Sequence, residues 1–180
     1  MHFEIVMSGF GGQGIMYMGD LLAQAAVQEG RNATFFPTYG AAMRGGTANC
    51  IVIISDCEIG SPLLRHPDAA ILMNQPSLER FEPMIKQGGL MVCNASMIDR
   101  ATSRRNGELR TVWIPVTEIS RNVAGNERSA NIVAFGAFLK AEPVVRLETI
   151  ETIFRQLPAQ KKAMIDKNLA ALRAGLDFAD

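Results

Sequence analysis

A run of glycines, Gly9-Phe10-Gly11-Gly12-Gln13-Gly14, stands where a short apolar segment meets a helical pattern, and it narrows what the chain can become. Phe3 to Met7 is apolar with β-branched content and ends at Ser8-Gly9, as a buried strand does. Beyond the glycines, Ile15, Met18, Leu22 and Ala25 or Ala26 recur at helical spacing, with a stop at Gly30. Asn32 to Phe36 reads as a second strand. Strand, glycine turn, helix and strand within about 35 residues have the size and order of a βαβ unit.

The rest of the chain repeats the alternation. Thr47 to Ile54, Asp68 to Asn74, Leu90 to Asn94 and Thr111 to Val116 read as strands, the first of them buried on both faces. Gln75-Pro76-Ser77 starts a helix through Leu78 and Phe81 that breaks at Pro83. Arg100 to Glu108 is a polar connection. Ser129 is placed to cap a helix through Ile132, Phe135 and Leu139. Two further helices show apolar faces at Leu147, Ile150, Phe154 and Leu157, then at Ile165, Leu169, Leu172 and Leu176. The order predicts an α/β three-layer sandwich with a mostly parallel, Rossmann-like sheet and a helical C-terminal region. Without repeats or a low-complexity linker, residues 1–180 are expected to form a single domain.

The glycine turn matches G-x-G-x-x-G. The first glycine suits a tight turn, the second close backbone approach, and the third close packing of helix on strand. The helix start behind it suits phosphate through its N–H groups and partial positive charge. A dinucleotide site should also place an acid at the end of the second strand, to grip the ribose. Phe35-Phe36-Pro37-Thr38-Tyr39 holds none, which argues against an NAD(P)-dependent dehydrogenase. The open readings are another phosphate-bearing ligand, a partner's cofactor site, or a turn and nothing more. Thr38 to Gly46 leaves the second strand on the same rim, where Arg44 beside Gly45-Gly46 offers a forked cation for phosphate or carboxylate. Arg44 could equally sit in a solvated salt bridge, and Tyr39 could be core.

Composition removes other classes. The 18 basic and 18 acidic residues cancel, so no generic nucleic-acid affinity is expected, and weakly repelling surfaces favour association. No apolar run reaches a membrane span, and the N-terminus lacks the pattern of a signal peptide. The three cysteines, Cys50, Cys57 and Cys93, cannot supply the four thiolates of an iron–sulfur cluster, and with His2 and His66 they make no zinc pattern. Cys50 and Cys93 read as small buried hydrophobes, and the set suggests a reduced, cytoplasmic protein. No Cys–His or Ser–His–Asp arrangement offers a nucleophile, and Glu4, Asp20 and Asp56 read as solvent-facing or capping carboxylates.

GFGGQG followed by TYGAAMRGGTANC resembles the gamma subunit of the 2-oxoacid:ferredoxin oxidoreductases, and DAAILMNQPSLERF and the Asn131 to Gly136 segment extend the likeness along the chain. Similar sequences commonly carry Pro then Glu where Ala41 and Ala42 stand here. The resemblance implies one gamma-type domain over residues 1–180 that helps assemble the complex and lies near the coenzyme A and thiamine sites. It implies no catalytic residue in this chain. Thiamine diphosphate, Mg2+ and iron–sulfur clusters would sit on alpha- and beta-type partners, with a delta, ferredoxin-like subunit and ferredoxin itself as further partners. Coenzyme A would be the co-substrate, and the isolated chain could dimerise. The cofactor-side residues would be Gly9, Gly11, Gly12, Gln13, Gly14, Tyr39, Arg44, Gly45 and Gly46. The short separate chain leans toward 2-oxoglutarate or branched-chain enzymes, with 2-oxoglutarate placed first. The rival reading is a stand-alone nucleotide-binding regulatory or scaffold module.

Overall fold

The computed structural model describes residues 1–40, 46–105, 107–158, 160 and 162–179. Its strands are β1 (His2–Phe10), β2 (Asn32–Tyr39), β3 (Thr47–Ser55), β4 (Ala69–Leu72), β5 (Leu90–Asn94) and β6 (Arg110–Ile114). Its helices are α1 (Ile15–Gln28), α2 (Gln75–Phe81), α3 (Val116–Ala124), α4 (Ala130–Ala141), α5 (Leu147–Arg155) and α6 (Lys162–Asp177). The strands form one sheet in the order β2-β3-β1-β4-β5-β6. β1, β4, β5 and β6 pair in parallel, whereas β3 is antiparallel to both β1 and β2. Five strands therefore share one direction and β3 alone runs against them. The mostly parallel sheet is as expected, but the unit made by β1, α1 and β2 is split, with β3 between its two strands.

Alternation along the strands builds the layers. Ile5 and Met7 of β1 face the larger core with Cys50, Val52 and Ile54 of β3. Ile15, Met18 and Leu22 of α1, Phe135 and Phe138 of α4, Ile150 and Phe154 of α5, and Leu172 of α6 complete it. Val6 turns to the other face, where Leu78 and Phe81 of α2 pack with Met91, Cys93 and Trp113. The C-terminal helices thus cover one side of the sheet. β2 is an edge strand, and Gly40 N–H donates to the Thr47 carbonyl at 2.7 Å. The alternation set by that bond turns the nitrogen of Pro37 to the open edge, where a missing N–H is harmless.

Three local expectations are corrected. The strand expected through Val116 stops at Ile114, because Pro115 caps α3, a helix that the sequence reading did not include. The polar stretch from Arg100 holds a short 3-10 turn, Arg100–Thr102, capped by the Asp99 carboxylate. Ser129 precedes α4 but makes no side-chain cap; its hydroxyl lies 3.5 Å from Asn168 Oδ1 on α6 instead.

α4 and α6 cross in close contact because both present glycine at the crossing. A Cβ on Gly175 would lie 2.1 Å from the Val133 carbonyl, and one on Gly136 would lie 2.3 Å from the Leu172 carbonyl. Both obstacles are helical backbone, which cannot swing aside. Gly→Ala inside an exposed helix normally gains about 1 kcal/mol; here the clash wins. Gly175→Ala is expected to lower stability by about 1–3 kcal/mol in urea unfolding. A gain in stability would show that the two helices can separate without loss.

Candidate functional site

At the carboxyl ends of the strands the glycine turn leaves β1 and enters α1. Gly12 (φ 98°) and Gly14 (φ 73°) hold left-handed backbone that side chains resist, so the turn needs glycine at both. They differ in surroundings. A Cβ on Gly12 would meet nothing within 4 Å, whereas one on Gly14 would lie 2.3 Å from Asn131 Nδ2. Asn131, in the first turn of α4, donates that amide to the Gly14 carbonyl at 3.1 Å. Gly9 is still strand, and a Cβ there would crowd Gln13, Ile15 and Met73. The glycine roles are therefore redistributed: Gly9 serves packing, Gly12 makes the turn, and Gly14 both turns and admits α4.

Gln13 closes the turn on itself. Its Oε1 accepts from Phe10 N–H at 2.6 Å, and its Nε2 donates to Met97 Sδ at 3.3 Å. Gly11 N–H donates to the Gly46 carbonyl at 2.9 Å, which ties the two glycine segments together. Register brings Tyr39 to the same rim, since Ala48 of β3 stands opposite both Gly9 and Tyr39. Tyr39 is 64% exposed and is not core. Ala41, Ala42, Arg44 and Gly45 lie outside the described residues.

Beside the turn, buried polar side chains fix the neighbouring strand ends. Asn74 Oδ1 accepts from both the N–H and the hydroxyl of Ser77, and Ser77 Oγ lies 2.8 Å from Ser8 Oγ on β1. Glu82, only 2% exposed, accepts from Ser103 Oγ and from the N–H groups of Arg104 and Arg105. That carboxylate holds the connection that carries Met97 over Gln13. A cleft of about 180 Å³ results, lined by Gly12, Gln13, Met73, Met97, Thr117 and Arg128 among others. Arg128, Asn131 and Met97 were not among the residues expected at the rim. The signal for Asn131 was an amide in the first turn of an otherwise apolar helix.

Burial pushes the Cys50 thiol up to about 12, and it raises Cys93 as well, with the Glu82 carboxylate adding to the effect. Thiols held protonated are poor ligands, and three cannot complete a four-thiolate cluster, so the cysteines do not fit an iron–sulfur centre. Among the described residues no helix is long and apolar enough to cross a membrane.

Residues 4–178 match the model of the pyruvate ferredoxin/flavodoxin oxidoreductase family. The chain belongs to that family. It is 38% identical over 180 residues to the ketoisovalerate oxidoreductase subunit VorA of Methanothermobacter thermautotrophicus, covering 98% of this chain and 36% of that one. The chain thus spans about a third of that relative. It is 31% identical to the 2-oxoglutarate synthase subunit KorC of Methanocaldococcus jannaschii, over 99% and 95% of the two chains. The fold superposes on the keto/oxoacid ferredoxin oxidoreductase gamma subunit of Geobacter sulfurreducens with a TM-score of 0.82 at 27% identity. That match covers 98% of this chain and 95% of the other. The gamma-type likeness and the α/β sandwich expected from the sequence are both borne out.

Two outcomes follow for this family member. Gly12→Ala meets only backbone strain, about 1–2 kcal/mol, whereas Gly14→Ala adds the collision with Asn131 and should lose more. Equal losses in denaturant titration would remove Asn131 from the account. Because Cys50 and Cys93 are buried and protonated while Cys57 is exposed, a thiol reagent at pH 8 should modify one cysteine in the native chain and all three after unfolding. Rapid native modification of Cys50 or Cys93 would contradict their burial.

Proposed function

We propose that the chain serves as the gamma component of a coenzyme A-acylating 2-oxoacid:ferredoxin oxidoreductase. In that reaction a 2-oxoacid, coenzyme A and oxidised ferredoxin give acyl-CoA, CO2 and reduced ferredoxin, the oxidised carbonyl carbon supplying the electrons. The observation that carries the reading is the near full-length superposition on a gamma subunit, with the glycine turn presented at the strand ends. Thiamine diphosphate supplies the carbanion chemistry when bound and is assigned to alpha- and beta-type partners, as are Mg2+ and the clusters.

In this reading Gly9, Gly11, Gly12, Gln13 and Gly14 cradle the coenzyme A side of the site, and Tyr39, Arg44, Gly45 and Gly46 complete the rim. The contacts already made sort these residues. Gly11 N–H and both ends of the Gln13 amide are engaged within the chain, so they shape the cradle. The open ground above Gly12 is where a ligand or a partner's backbone approaches. Tyr39 stands beside it on the rim. The oxoacid is 2-oxoglutarate or 2-oxoisovalerate, because the relatives named for each match over nearly all of this chain.

Co-expression with candidate alpha- and beta-type subunits tests this. The purified complex should reduce ferredoxin or a viologen dye with one of the two oxoacids in a coenzyme A-dependent manner, and this chain alone should be inactive and colourless. Arg44→Ala should raise the apparent KM for coenzyme A about 10- to 150-fold, the loss of one charge-assisted contact of about 1.5–3 kcal/mol. If leaving this chain out of the complex changes neither activity nor coenzyme A dependence, the proposal fails.

A further inference from the structure

β2 ends the sheet, and among the described residues no strand lies on its outer side. The alternation fixed by the Gly40–Thr47 bond turns the backbone of Asn32, Thr34, Phe36 and Thr38 to β3 and that of Ala33, Phe35, Pro37 and Tyr39 to the open edge. Side chains alternate with the same period, so Ala33, Phe35 and Tyr39 face the side of α1, and Phe36 faces the opposite side of the sheet. An open edge is a template for another strand, and native proteins blunt it with charge, proline, a bulge or a cover. β2 pairs with β3 from Asn32 to Tyr39 without a bulge and carries no charged residue, although 20% of the chain is charged. Its one blunting device is Pro37.

Three features of this edge suit a second copy of the same chain. The first is charge. About a two-fold axis each residue near the axis meets its own kind, so a charge there would meet a like charge. Neither β2 nor the α1 residues beside it, Ala23, Gln24, Val27 and Gln28, hold one, and Arg31 beyond the strand is already paired with Glu29 at 2.8 Å. The second is shape. Tyr39, 64% exposed, is a knob, and Ala33 and Phe35 with those four α1 residues line a groove of about 380 Å³. The third is register. When β2 pairs antiparallel with a copy centred on Phe36, Phe35 stands opposite the copy's Pro37 and Ala33 opposite its Tyr39. The outward N–H groups of Ala33, Phe35 and Tyr39 all then donate to carbonyls of the copy, and Pro37 leaves only the copy's Phe35 carbonyl unserved. The same register lays Tyr39 over the copy's groove at Ala33. It also sets the exposed Phe36 ring beside its own copy, at a non-hydrogen-bonded site where side chains are closest. Centring on Pro37 would put proline against proline. Centring on Phe35 would call on Arg31, whose N–H is turned to the Ala26 carbonyl.

We propose that two copies of this chain join edge to edge through β2, antiparallel and centred on Phe36, with Tyr39 of each copy in the α1–β2 groove of the other. The two sheets become one continuous sheet. The strip is shorter than the roughly 20–30 residues a side of a standard interface, so the dimer is a weak one, with a Kd of about 10–100 μM. The inference does not rest on the oxidoreductase reading. Tyr39 also stands on the rim, but association of this chain alone involves no coenzyme A, so the two readings fail separately.

Sedimentation velocity of the 180-residue chain from about 1 to about 300 μM tests it. The chain should pass from monomer to dimer across that range and go no further, because an isologous contact closes on itself. Val27→Lys, at a 59% exposed position, puts a charge in the groove, and Tyr39→Ala removes the knob; each should weaken the dimer at least about 10-fold. Val123→Lys, at an exposed apolar position on α3, should leave it unchanged. Register is read separately by cross-linking in a Cys57→Ser chain, which lacks the exposed thiol. With oxidised glutathione, Phe36→Cys should give a disulfide-linked dimer, whereas Thr38→Cys, which faces the copy's Thr34, should give far less. A chain that stays monomeric at the highest concentration would overturn the proposal. So would a dimer indifferent to both Val27→Lys and Tyr39→Ala, or equal cross-linking at the two cysteine positions.

Discussion

The rim depends on one contact between segments more than a hundred residues apart: the Asn131 amide on the Gly14 carbonyl. The space for it exists only because Gly14 has no Cβ and sits in left-handed backbone. That contact fixes where α1 begins relative to α4. The Gly136–Gly175 crossing in turn fixes α4 against α6. Small residues therefore act as spacers that set helix positions to within a few tenths of an ångström, in an interior that packs too tightly to absorb a misfit. The apolar side chains drive collapse, and the glycines decide which collapsed arrangement is allowed.

β3 supplies the complementary constraint in the sheet. Running against its neighbours, it starts at the glycine-turn rim beside Gly46, whose carbonyl accepts from Gly11, and leads the chain away from it. Had β2 and β1 been adjacent and parallel, as in an unbroken βαβ unit, no strand would start at the rim between them. The inserted strand thus joins the two glycine-rich segments that are far apart in sequence. Its own side chains are buried on both faces for most of its length, so the insertion is anchored by the core.

Much of this was legible. β5 announces itself as an apolar run closed by turn residues, β1 as one interrupted only at Glu4, and α1 by its apolar face. The direction of β3 was not, because a strand buried on both faces carries no periodicity that encodes parallel or antiparallel pairing. The clue lay elsewhere: seven residues from Gly40 to Gly46 are too few for a crossover, which takes a dozen or more. α3 was hidden by Pro115, read as strand interior although proline is favoured where a helix starts. Ser129 has the chemistry of a cap, but a buried partner, Asn168, competes for its hydroxyl. The rim residues on the glycine turn were readable because they are contiguous. Arg128, Asn131 and Lys167 were not, since α3, α4, α5 and α6 must be packed before they meet.

Charge shows the same division between what composition can and cannot say. Equal numbers of acidic and basic residues argue against a diffuse attraction to nucleic acid, because that effect sums over the whole surface. A binding site responds to the field within roughly one Debye length, about 8–10 Å. At that scale the helix starts count as charges although no residue tally contains them. Some of the acidic residues that balance the total pair with cations elsewhere: Glu29 with Arg31 and Arg146, Asp68 with Lys86, Glu127 with Arg121, and Glu151 with Arg155 and Arg173. Among the described residues Arg128 and Lys167, which line one cavity, make no ion pair. A chain with no net charge can therefore still keep unpaired cations at one place, because ion pairing is settled contact by contact and not by the total.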